Sequence, residues 1–380
     1  LDSMDEQDGE SLTKLRDKVI DTDPCCIINT SGSTGIPKSC VLSHRGLIDF
    51  VLWFDAEYGL GEKKIVGSLS PFHFDGYIPG LFMALYRGAT LNVIPSELAM
   101  FPVRLAQYLA DNRISFIFWV PTVLVNMANA DVLRHVALPH LKMVCFAGEV
   151  FPTRHYNYWK KNLPTARFIN LYGPIEISVI CTYYEIKREF SDSEPLPIGF
   201  PCKNTDILIL NDDNKVCGVG EEGELCVRGS SLALGYLNAP DKTAAAFCQN
   251  PINTKYPETI YRTGDIVYIN KYGEIMFVGR KDFQIKHQGN RIDLGEIEHF
   301  CLQIPVVSNA CVLYNKREKS IVLVYESDKE VSTMEIRAEL GKNLPKIMWP
   351  TQIFRLEKLP RNANGKIDRQ MLIAKYGGQS

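Results

Sequence analysis

Residues 30–38 read T-S-G-S-T-G-I-P-K, and the interpretation of the whole chain starts from them. The stretch follows the apolar run 25–29, which is typical of a buried strand, and a helical pattern begins after V-L-S-H at 41–44. Its glycines let backbone N–H groups approach a ligand closely, its hydroxyls donate hydrogen bonds and its lysine supplies positive charge. This composition predicts a phosphate-binding loop, although the G-x-x-x-x-G-K-[ST] order of a Walker loop is absent. A polar surface loop is the plain alternative, because clusters of Ser, Thr, Gly and Pro usually form one.

The order of apolar and polar segments predicts the fold class. From residue 23 to 190, short apolar strands alternate with helical patterns, which indicates an α/β part with a large, mostly parallel sheet covered by helices. From 196 to 281, short strands joined by Gly, Asn and Asp turns indicate a smaller β-rich part. We expect 1–281 to form one core and 282–380 to form a separate, small α+β domain.

Three local patterns give sharper expectations within this outline. Asp293 with Glu296, and Ser332 with Glu335, have the spacing of a capping box and predict helices over 294–302 and 336–344. The segment T-G-D at 263–265, taken alone, predicts a turn before a strand.

Composition excludes several classes of protein. The 380 residues carry a net charge of −2, which argues against binding to nucleic acid or to a membrane surface by charge. The sequence contains no run of about 18 apolar residues, so we expect no transmembrane helix. The 11 cysteines lie without C-x-x-C pairs, and this pattern predicts reduced thiols in a cytoplasmic protein.

Further motifs follow residues 30–38 in a fixed order. Each alone fits a turn, a helix start or a charged linker. Together they resemble the acyl-adenylate-forming (ANL) superfamily from residue 25 to 369, and within it the enzymes that activate amino acids. The motifs are F-H-F-D-G at 72–76, F-A-G-E-V-F-P at 146–152, N-L-Y-G-P-I-E at 170–176, Y-R-T-G-D at 261–265, G-R-K-D-F-Q-I-K at 279–286, G-N-R-I-D-L-G-E-I-E at 289–298 and P-R-N-A-N-G-K-I-D-R at 360–369.

The resemblance implies an ATP site. Tyr172 would offer its aromatic face to adenine, Asn170 its amide to the exocyclic amine, and Asp265 its carboxylate to the ribose hydroxyls. Glu176 would ligate Mg²⁺ on the phosphates, since this ion commonly takes one or two protein carboxylates plus phosphate oxygens. The expected ATP-binding residues are Thr30, Ser31, Ser33, Thr34, Lys38, Asn170, Tyr172, Gly173, Pro174, Asp265, Arg280 and Lys366.

The resemblance also implies where the substrate lies. An aspartate among aromatic residues needs a cation or strong donors, and Asp75 would hold the ammonium group of an amino acid. A helix N-cap or a turn aspartate is its plain alternative. The bulk of Phe118 and Leu171 indicates a small, uncharged substrate side chain. The expected substrate-binding residues are Asp75, Phe118, Cys145, Ala147, Leu171 and Val179.

In the C-terminal domain the resemblance makes Lys366 the catalytic lysine, placed between the substrate carboxylate and the α-phosphate. Asp282 would be the hinge about which this domain moves between two half-reactions. The family's phosphate loop normally lies more than about a hundred residues into the protein, so the resemblance implies that an N-terminal subdomain is missing.

The resemblance predicts an ATP- and Mg²⁺-dependent ligase that activates a small amino acid and passes it to the phosphopantetheine thiol of a carrier protein. The motifs are most similar to ligases that load D-alanine onto a carrier protein, and nonribosomal peptide synthetase adenylation domains are near relatives. Three alternatives stay open: such a domain with another amino acid, an acyl-CoA ligase, and a non-catalytic nucleotide-binding fragment. Four residues depart from the usual pattern: Ser39, Ala147, Ile175 and Asp293.

Overall fold

The computed structural model describes residues 13–30, 38–59, 61, 63–72, 74–281, 284–361 and 367–377. The chain divides into two compact units between Val278 and Gly279. The first is built mainly from Ser39–Trp119 and Val123–Val278, and the second mainly from Gly279–Ser380. The boundary expected at 281/282 stays a prediction.

A seven-stranded sheet lies at the centre of the first unit, in the order β4-β3-β5-β6-β7-β8-β9. The first five strands of that order run parallel, and the last two continue the sheet antiparallel. The predicted α/β part with a mostly parallel sheet is therefore confirmed. The strands are β3 (Ile65–Ser68), β4 (Thr90–Val93), β5 (Phe116–Trp119), β6 (Met143–Phe146), β7 (Arg167–Tyr172), β8 (Thr182–Glu185) and β9 (Phe200–Pro201).

Helices of the first unit supply apolar surfaces that pack against its sheets. Trp119 and Trp159, among the largest fully buried side chains, belong to one apolar cluster, and Phe54 and Phe116 belong to another. The helices are α1 (His44–Tyr58), α2 (Tyr77–Arg87), α3 (Pro102–Asp111), α4 (Pro121–Asn129), α5 (Thr153–Asn162) and α6 (Pro240–Ala246), with 3₁₀ turns at Ser96–Met100, Val132–Arg134 and Ile175–Ile177. Among the described residues no helix combines the length and the apolar character needed to cross a membrane.

Two smaller sheets accompany the large one, and the antiparallel one, whose strands lie between Thr205 and Arg280, is the predicted β-rich part. One is antiparallel, with the order β10-β11-β14-β13 and β15 paired to β14. The other joins three strands in the order β1-β2-β12. The strands are β1 (Pro24–Thr30), β2 (Lys38–Ser43), β10 (Thr205–Leu210), β11 (Gly223–Gly229), β12 (Gly235–Tyr236), β13 (Phe247–Gln249), β14 (Thr259–Ile269) and β15 (Ile275–Arg280).

The second unit is a small α+β domain, as expected. It contains a two-stranded and a three-stranded sheet, and the strand pair β18–β19 is antiparallel while β19–β20 is parallel. Its elements are β16 (Gln284–His287), β17 (Asn290–Asp293), β18 (Asn309–Asn315), β19 (Ser320–Glu326), β20 (Gln352–Leu356), α7 (Leu294–Cys301), α8 (Thr333–Leu340), α9 (Arg369–Tyr376) and a 3₁₀ turn at Lys346–Met348.

The two expected capping boxes have different outcomes. Ser332 and Glu335 form one in full at the start of α8, with reciprocal bonds of 3.1 and 3.0 Å. Asp293 caps α7 by accepting from the backbone of Gly295, but Oε2 of Glu296 is buried without a hydrogen-bond partner in the described part of the chain. The second half of this capping box is therefore a wrong prediction. Helix α8 also ends at Leu340, four residues before the predicted end at 344.

The prediction that T-G-D at 263–265 forms a turn is wrong. These residues lie inside the continuous strand β14, where the pairing with β11 shifts register between Glu224 and Cys226. Gly264 has φ of +71°, a conformation that favours glycine, so the motif forms an irregularity in a strand and not the strand's beginning.

Candidate functional site

The C-terminal end of β7 carries three of the predicted nucleotide residues. Ligands of open α/β sheets commonly bind at this end of the parallel strands. Asn170 is buried, and its Nδ2 donates a 2.7 Å hydrogen bond to the backbone oxygen of Pro197. Gly173 lies so close to the following loop that a Cβ atom would stand 2.4 Å from the backbone oxygen of Val179. Only glycine fits there, and the loop closes tightly around the end of the strand.

Tyr172, the last residue of β7, contacts a second predicted motif. Its hydroxyl donates a hydrogen bond to the carboxylate of Asp265 in β14. Both residues are buried, with 4% and 1% of their surfaces exposed. Burial, reinforced by the negative charge of Asp265, raises the pKa of Tyr172 well above its ordinary value. The phenol therefore stays protonated and remains a donor at neutral pH.

The irregularity in β14 fixes Asp265. The hydroxyl of Thr263 donates to the backbone oxygen of Leu225 at 2.7 Å and accepts from the backbone N–H of Asp265 at 3.0 Å. The N–H of Gly264 donates to Oε1 of Glu224 at 3.1 Å. These bonds hold the T-G-D segment against β11 and leave the Asp265 carboxylate directed at Tyr172.

Glu176 lies in the 3₁₀ turn that follows β7, and its side chain is fully buried. Its Oε1 accepts a hydrogen bond of 2.7 Å from the hydroxyl of Tyr236. Its backbone oxygen accepts from the N–H of Ala233 at 2.8 Å. No motif predicts the contact with Tyr236, since a pairing across 60 residues leaves no local pattern.

The predicted substrate pocket residues lie together. Four of them are buried members of one apolar cluster, against which the partly buried Ala147 packs: Phe118, Cys145, Leu171 and Val179. They come from β5, β6, β7 and the loop after Glu176, and Phe118 is the register partner of Cys145. Burial raises the pKa of the Cys145 thiol well above its ordinary value, so this side chain is neutral. These four side chains are all apolar.

Two residues of this region have backbone conformations that are unusual for their type. Ser178 and Val179 have φ of +53° and +87°. A positive φ in a β-branched residue such as Val179 is a genuine outlier, and such strain concentrates at functional sites. Gly148, which follows Ala147, has φ of +93°, which glycine adopts freely.

Asp75 lies in the turn that leads from β3 to α2 and is half-buried. Its backbone oxygen accepts from the N–H of Ile78 at 3.0 Å. The N-cap residue of α2 is Gly76, and no side chain caps that helix, so the N-cap alternative for Asp75 is wrong. Tyr77 packs against the same apolar cluster as the pocket residues, which brings the Asp75 segment next to them.

The remaining predicted residues have these positions. Lys38 begins β2 and Arg280 ends β15, and both are half-buried. Thr30 ends β1, and its side chain lies outside the described part. Within the described ranges no group of three His, Cys, Asp or Glu residues could hold a metal ion. The predicted residues that lie outside the described ranges are Ser31, Ser33, Thr34, Asp282 and Lys366.

Comparison with known proteins identifies relatives over most of the chain. Residues 2–237 match the family described as AMP-binding enzyme. The chain is 33% identical to Tyrocidine synthase 1 of Brevibacillus parabrevis, over 97% of this chain and 33% of the synthase. It is 33% identical to the D-alanine--D-alanyl carrier protein ligase of Lacticaseibacillus casei (strain BL23), over 96% of this chain and 73% of the ligase.

A solved structure agrees with these sequence matches. The adenylation domain AlmE of Vibrio cholerae, in complex with glycyl-adenosine-5'-phosphate, superimposes with a TM-score of 0.83 and 26% identity. The match covers 96% of this chain and 69% of AlmE. Against the first synthases that it matches, the chain spans a third of the length or less.

Proposed function

The chain belongs to the AMP-binding enzyme family, and from this premise we propose that it activates a small amino acid with ATP. In the first half-reaction the amino-acid carboxylate attacks the α-phosphorus of ATP, which forms aminoacyl-AMP and releases pyrophosphate. In the second half-reaction a phosphopantetheine thiol of a carrier protein attacks the acyl carbon, which forms a thioester and releases AMP. D-alanine is the first candidate substrate.

The observation that carries this proposal is the hydrogen bond between Tyr172 and Asp265. It joins two motifs that the resemblance assigns to the same nucleotide, one to adenine and one to ribose. The other proposed nucleotide contacts are Asn170, Gly173 and Pro174 at the end of β7, Arg280, and the loop residues Thr30, Ser31, Ser33, Thr34 and Lys38.

The proposed substrate site lies in the apolar cluster of Phe118, Cys145, Leu171 and Val179. The large side chains at 118 and 171 and the apolar character of the side chains around them favour a small aliphatic side chain. Asp75 would pair with the substrate ammonium group at its edge. The presence of glycyl-adenosine-5'-phosphate in AlmE supports a small substrate in a protein with this fold.

Mg²⁺ is the proposed metal, with Glu176 as its protein ligand. A carboxylate is the donor that this ion prefers, and its two oxygens offer about four lone-pair sites. Because the side chain is fully buried, Mg²⁺ reaches it only if the residues that cover it move. When bound, Mg²⁺ would neutralise phosphate charge. The chain's own contribution is to hold the carboxylate, orient adenine and place Lys366 at the reacting oxygens.

We propose that Lys366 is the catalytic lysine and that Asp282 is the hinge of the C-terminal unit. Lys366 would stabilise the negative charge that is redistributed as the carboxylate attacks the α-phosphate. The expected cytoplasmic location rests on the cysteine pattern of the sequence.

A second candidate is the adenylation domain of a nonribosomal peptide synthetase with another amino acid. The match to Tyrocidine synthase 1, at the same 33% identity as the match to the ligase, favours this candidate as much as the first.

The test is ATP–pyrophosphate exchange by the full-length protein over a panel of D- and L-amino acids, with fatty and aryl acids as controls. We expect alanine, glycine or serine to give the highest exchange, because one excess methylene in a closed pocket costs about 1–3 kcal/mol. Exchange with phenylalanine or lysine and none with alanine would contradict the pocket assignment. Transfer to free coenzyme A with only non-amino acids as substrates would favour an acyl-CoA ligase instead.

A further inference from the structure

Tyr236 belongs to none of the motifs that the sequence analysis singled out, yet it contacts the proposed metal ligand. Its hydroxyl donates a 2.7 Å hydrogen bond to Oε1 of Glu176. Tyr236 is 6% exposed and Glu176 is fully buried, so the bond lies in a region that screens charge weakly. A hydrogen bond to a carboxylate is strong in such a region and fixes the orientation of the group.

Tyr236 is itself held on three sides. Its backbone N–H donates to the hydroxyl of Thr243 at 2.9 Å. Its ring meets that of Phe247 edge-on, with 5.9 Å between the centroids. Its strand β12 pairs antiparallel with β2, where Tyr236 stands opposite Cys40. Because Tyr236 is fixed in this way, the position of β12 determines where the Glu176 carboxylate lies.

The segment around β12 also connects two proposed phosphate contacts. Its flanking residues donate backbone hydrogen bonds to β2, from Leu234 to Val41 at 2.9 Å and from Leu237 to Ser39 at 2.8 Å. Strand β2 begins at the last residue of the predicted phosphate loop. The same segment binds the backbone of Glu176 through the N–H of Ala233. The segment around β12 is thus hydrogen-bonded both to β2 and to the backbone of Glu176.

We infer that Tyr236 is a positioning residue: its hydroxyl holds the Glu176 carboxylate in the orientation that meets Mg²⁺ on the ATP phosphates. The inference rests on the proposed role of Glu176 as the metal ligand. Tyr236 acts through Glu176 and not by touching the substrate. Loss of its hydroxyl therefore weakens the part of ATP binding that depends on the metal and leaves amino-acid binding unchanged.

The test measures ATP affinity of the full-length protein by calorimetry, with and without Mg²⁺. We expect Tyr236→Phe to reduce the gain in affinity on adding Mg²⁺ by about tenfold to a hundredfold, as for other residues that orient a metal ligand. Its affinity for ATP without Mg²⁺ should equal that of the parent. Tyr184→Phe is the matched control, since Tyr184 is buried and donates a bond of the same 2.7 Å length to Glu274. It should keep the full gain.

A double-mutant cycle separates this inference from the proposed function. In a Glu176→Gln background, Tyr236→Phe should add little, because residues that act as a unit are not additive. Two outcomes would overturn the inference about Tyr236 but not the proposed role of Glu176. One is that the effects of the two substitutions are additive. The other is that Tyr236→Phe keeps the full gain in ATP affinity on adding Mg²⁺ while Glu176→Gln reduces this gain. A full Mg²⁺ gain in Glu176→Gln would overturn the proposed role of Glu176 and the inference with it. If Tyr236→Phe and Tyr184→Phe reduce the gain in ATP affinity on adding Mg²⁺ equally, the role of Tyr236 is merely structural.

Discussion

The hydroxyl of Tyr172 donates a hydrogen bond to the carboxylate of Asp265, which lies 93 residues further along the chain. Tyr172 ends a strand of the large sheet, and Asp265 lies at the irregularity of β14 in the antiparallel sheet. The large sheet and the antiparallel sheet are therefore bonded to each other through two residues of the proposed nucleotide site. The same side chains contribute to the stability of the fold and, by our proposal, to nucleotide binding.

This bond predicts a measurable contribution to stability. Tyr172→Phe should lower the free energy of unfolding by about 1–3 kcal/mol, because a buried carboxylate loses one of its donors. Urea denaturation at neutral pH measures the change. Tyr256→Phe serves as the control, since Tyr256 is 58% exposed, and it should stay within about 0.5 kcal/mol of the parent. Equal stability of Tyr172→Phe and the parent would show that this bond contributes nothing.

Asp75 provides a test of the substrate class. If its carboxylate pairs with the substrate ammonium group, Asp75→Ala should cost about 2–5 kcal/mol in kcat/KM for the amino acid, as other buried charge pairs do when one partner is removed. Asp75→Asn keeps the size of the side chain and removes the charge, so it should cost nearly as much. Unchanged kcat/KM for the amino acid in both variants would refute the assignment of Asp75 to the substrate ammonium group. Asp111→Ala, at the end of α3, is the control for an unrelated aspartate.

The fold was largely predictable because its signals are local. Alternating strands and helices appear as changes of period along the sequence, and the capping box at Ser332 needs only four consecutive residues. The failures depend on tertiary contacts. Pairing with β11 keeps Gly264 inside a strand, and burial removes Glu296 from its expected capping bond.

The candidate site was predictable only where its chemistry lies in contiguous motifs. The pocket residues Phe118, Cys145 and Leu171 were predicted from the resemblance, and the structure brings them into one cluster. Tyr236 was missed because its partner Glu176 lies 60 residues away and neither residue type signals the other.

The unpaired carboxylate oxygen of Glu296 predicts how the stability of the second unit depends on pH. Burial, and to a smaller extent the charge of Asp293, raises the pKa of Glu296 to about 7. The folded unit therefore holds a proton that the unfolded chain loses near its ordinary pKa of about 4.3. Between these two values the folded state binds more protons, so its stability falls as pH rises.

From about pH 4.5 to pH 7 the free energy of unfolding should fall by up to about 3 kcal/mol. Glu296→Gln should abolish this fall and stabilise the protein at pH 7.5. Urea denaturation at a series of pH values measures both effects. Glu335→Gln is a contrasting control, because hydrogen bonds from the backbone and hydroxyl of Ser332 lower the pKa of Glu335. A Glu296→Gln variant with the parent's pH profile would show that this carboxyl ionises normally.

The last prediction concerns the proposed movement of the C-terminal unit. By our proposal Lys366 acts at the α-phosphate in the first half-reaction, whereas the 289–298 segment resembles the loop that faces the thiol in the second. If both act on the same bound substrate, they would have to reach it at different times. The proposal therefore expects the unit to turn between the half-reactions, with a few residues near Asp282 absorbing the change in backbone angles.

Two substitutions separate the half-reactions. Lys366→Ala should slow adenylate formation by about a hundredfold to a thousandfold and leave thioester formation from supplied aminoacyl-AMP nearly unchanged. Asp282→Pro fixes φ at the proposed hinge, so it should impair one half-reaction and spare the other. Lys375→Ala, on the exposed face of α9, should alter neither rate. Equal losses of both half-reactions in Lys366→Ala, or parent rates in Asp282→Pro, would mean that the unit does not turn about this residue.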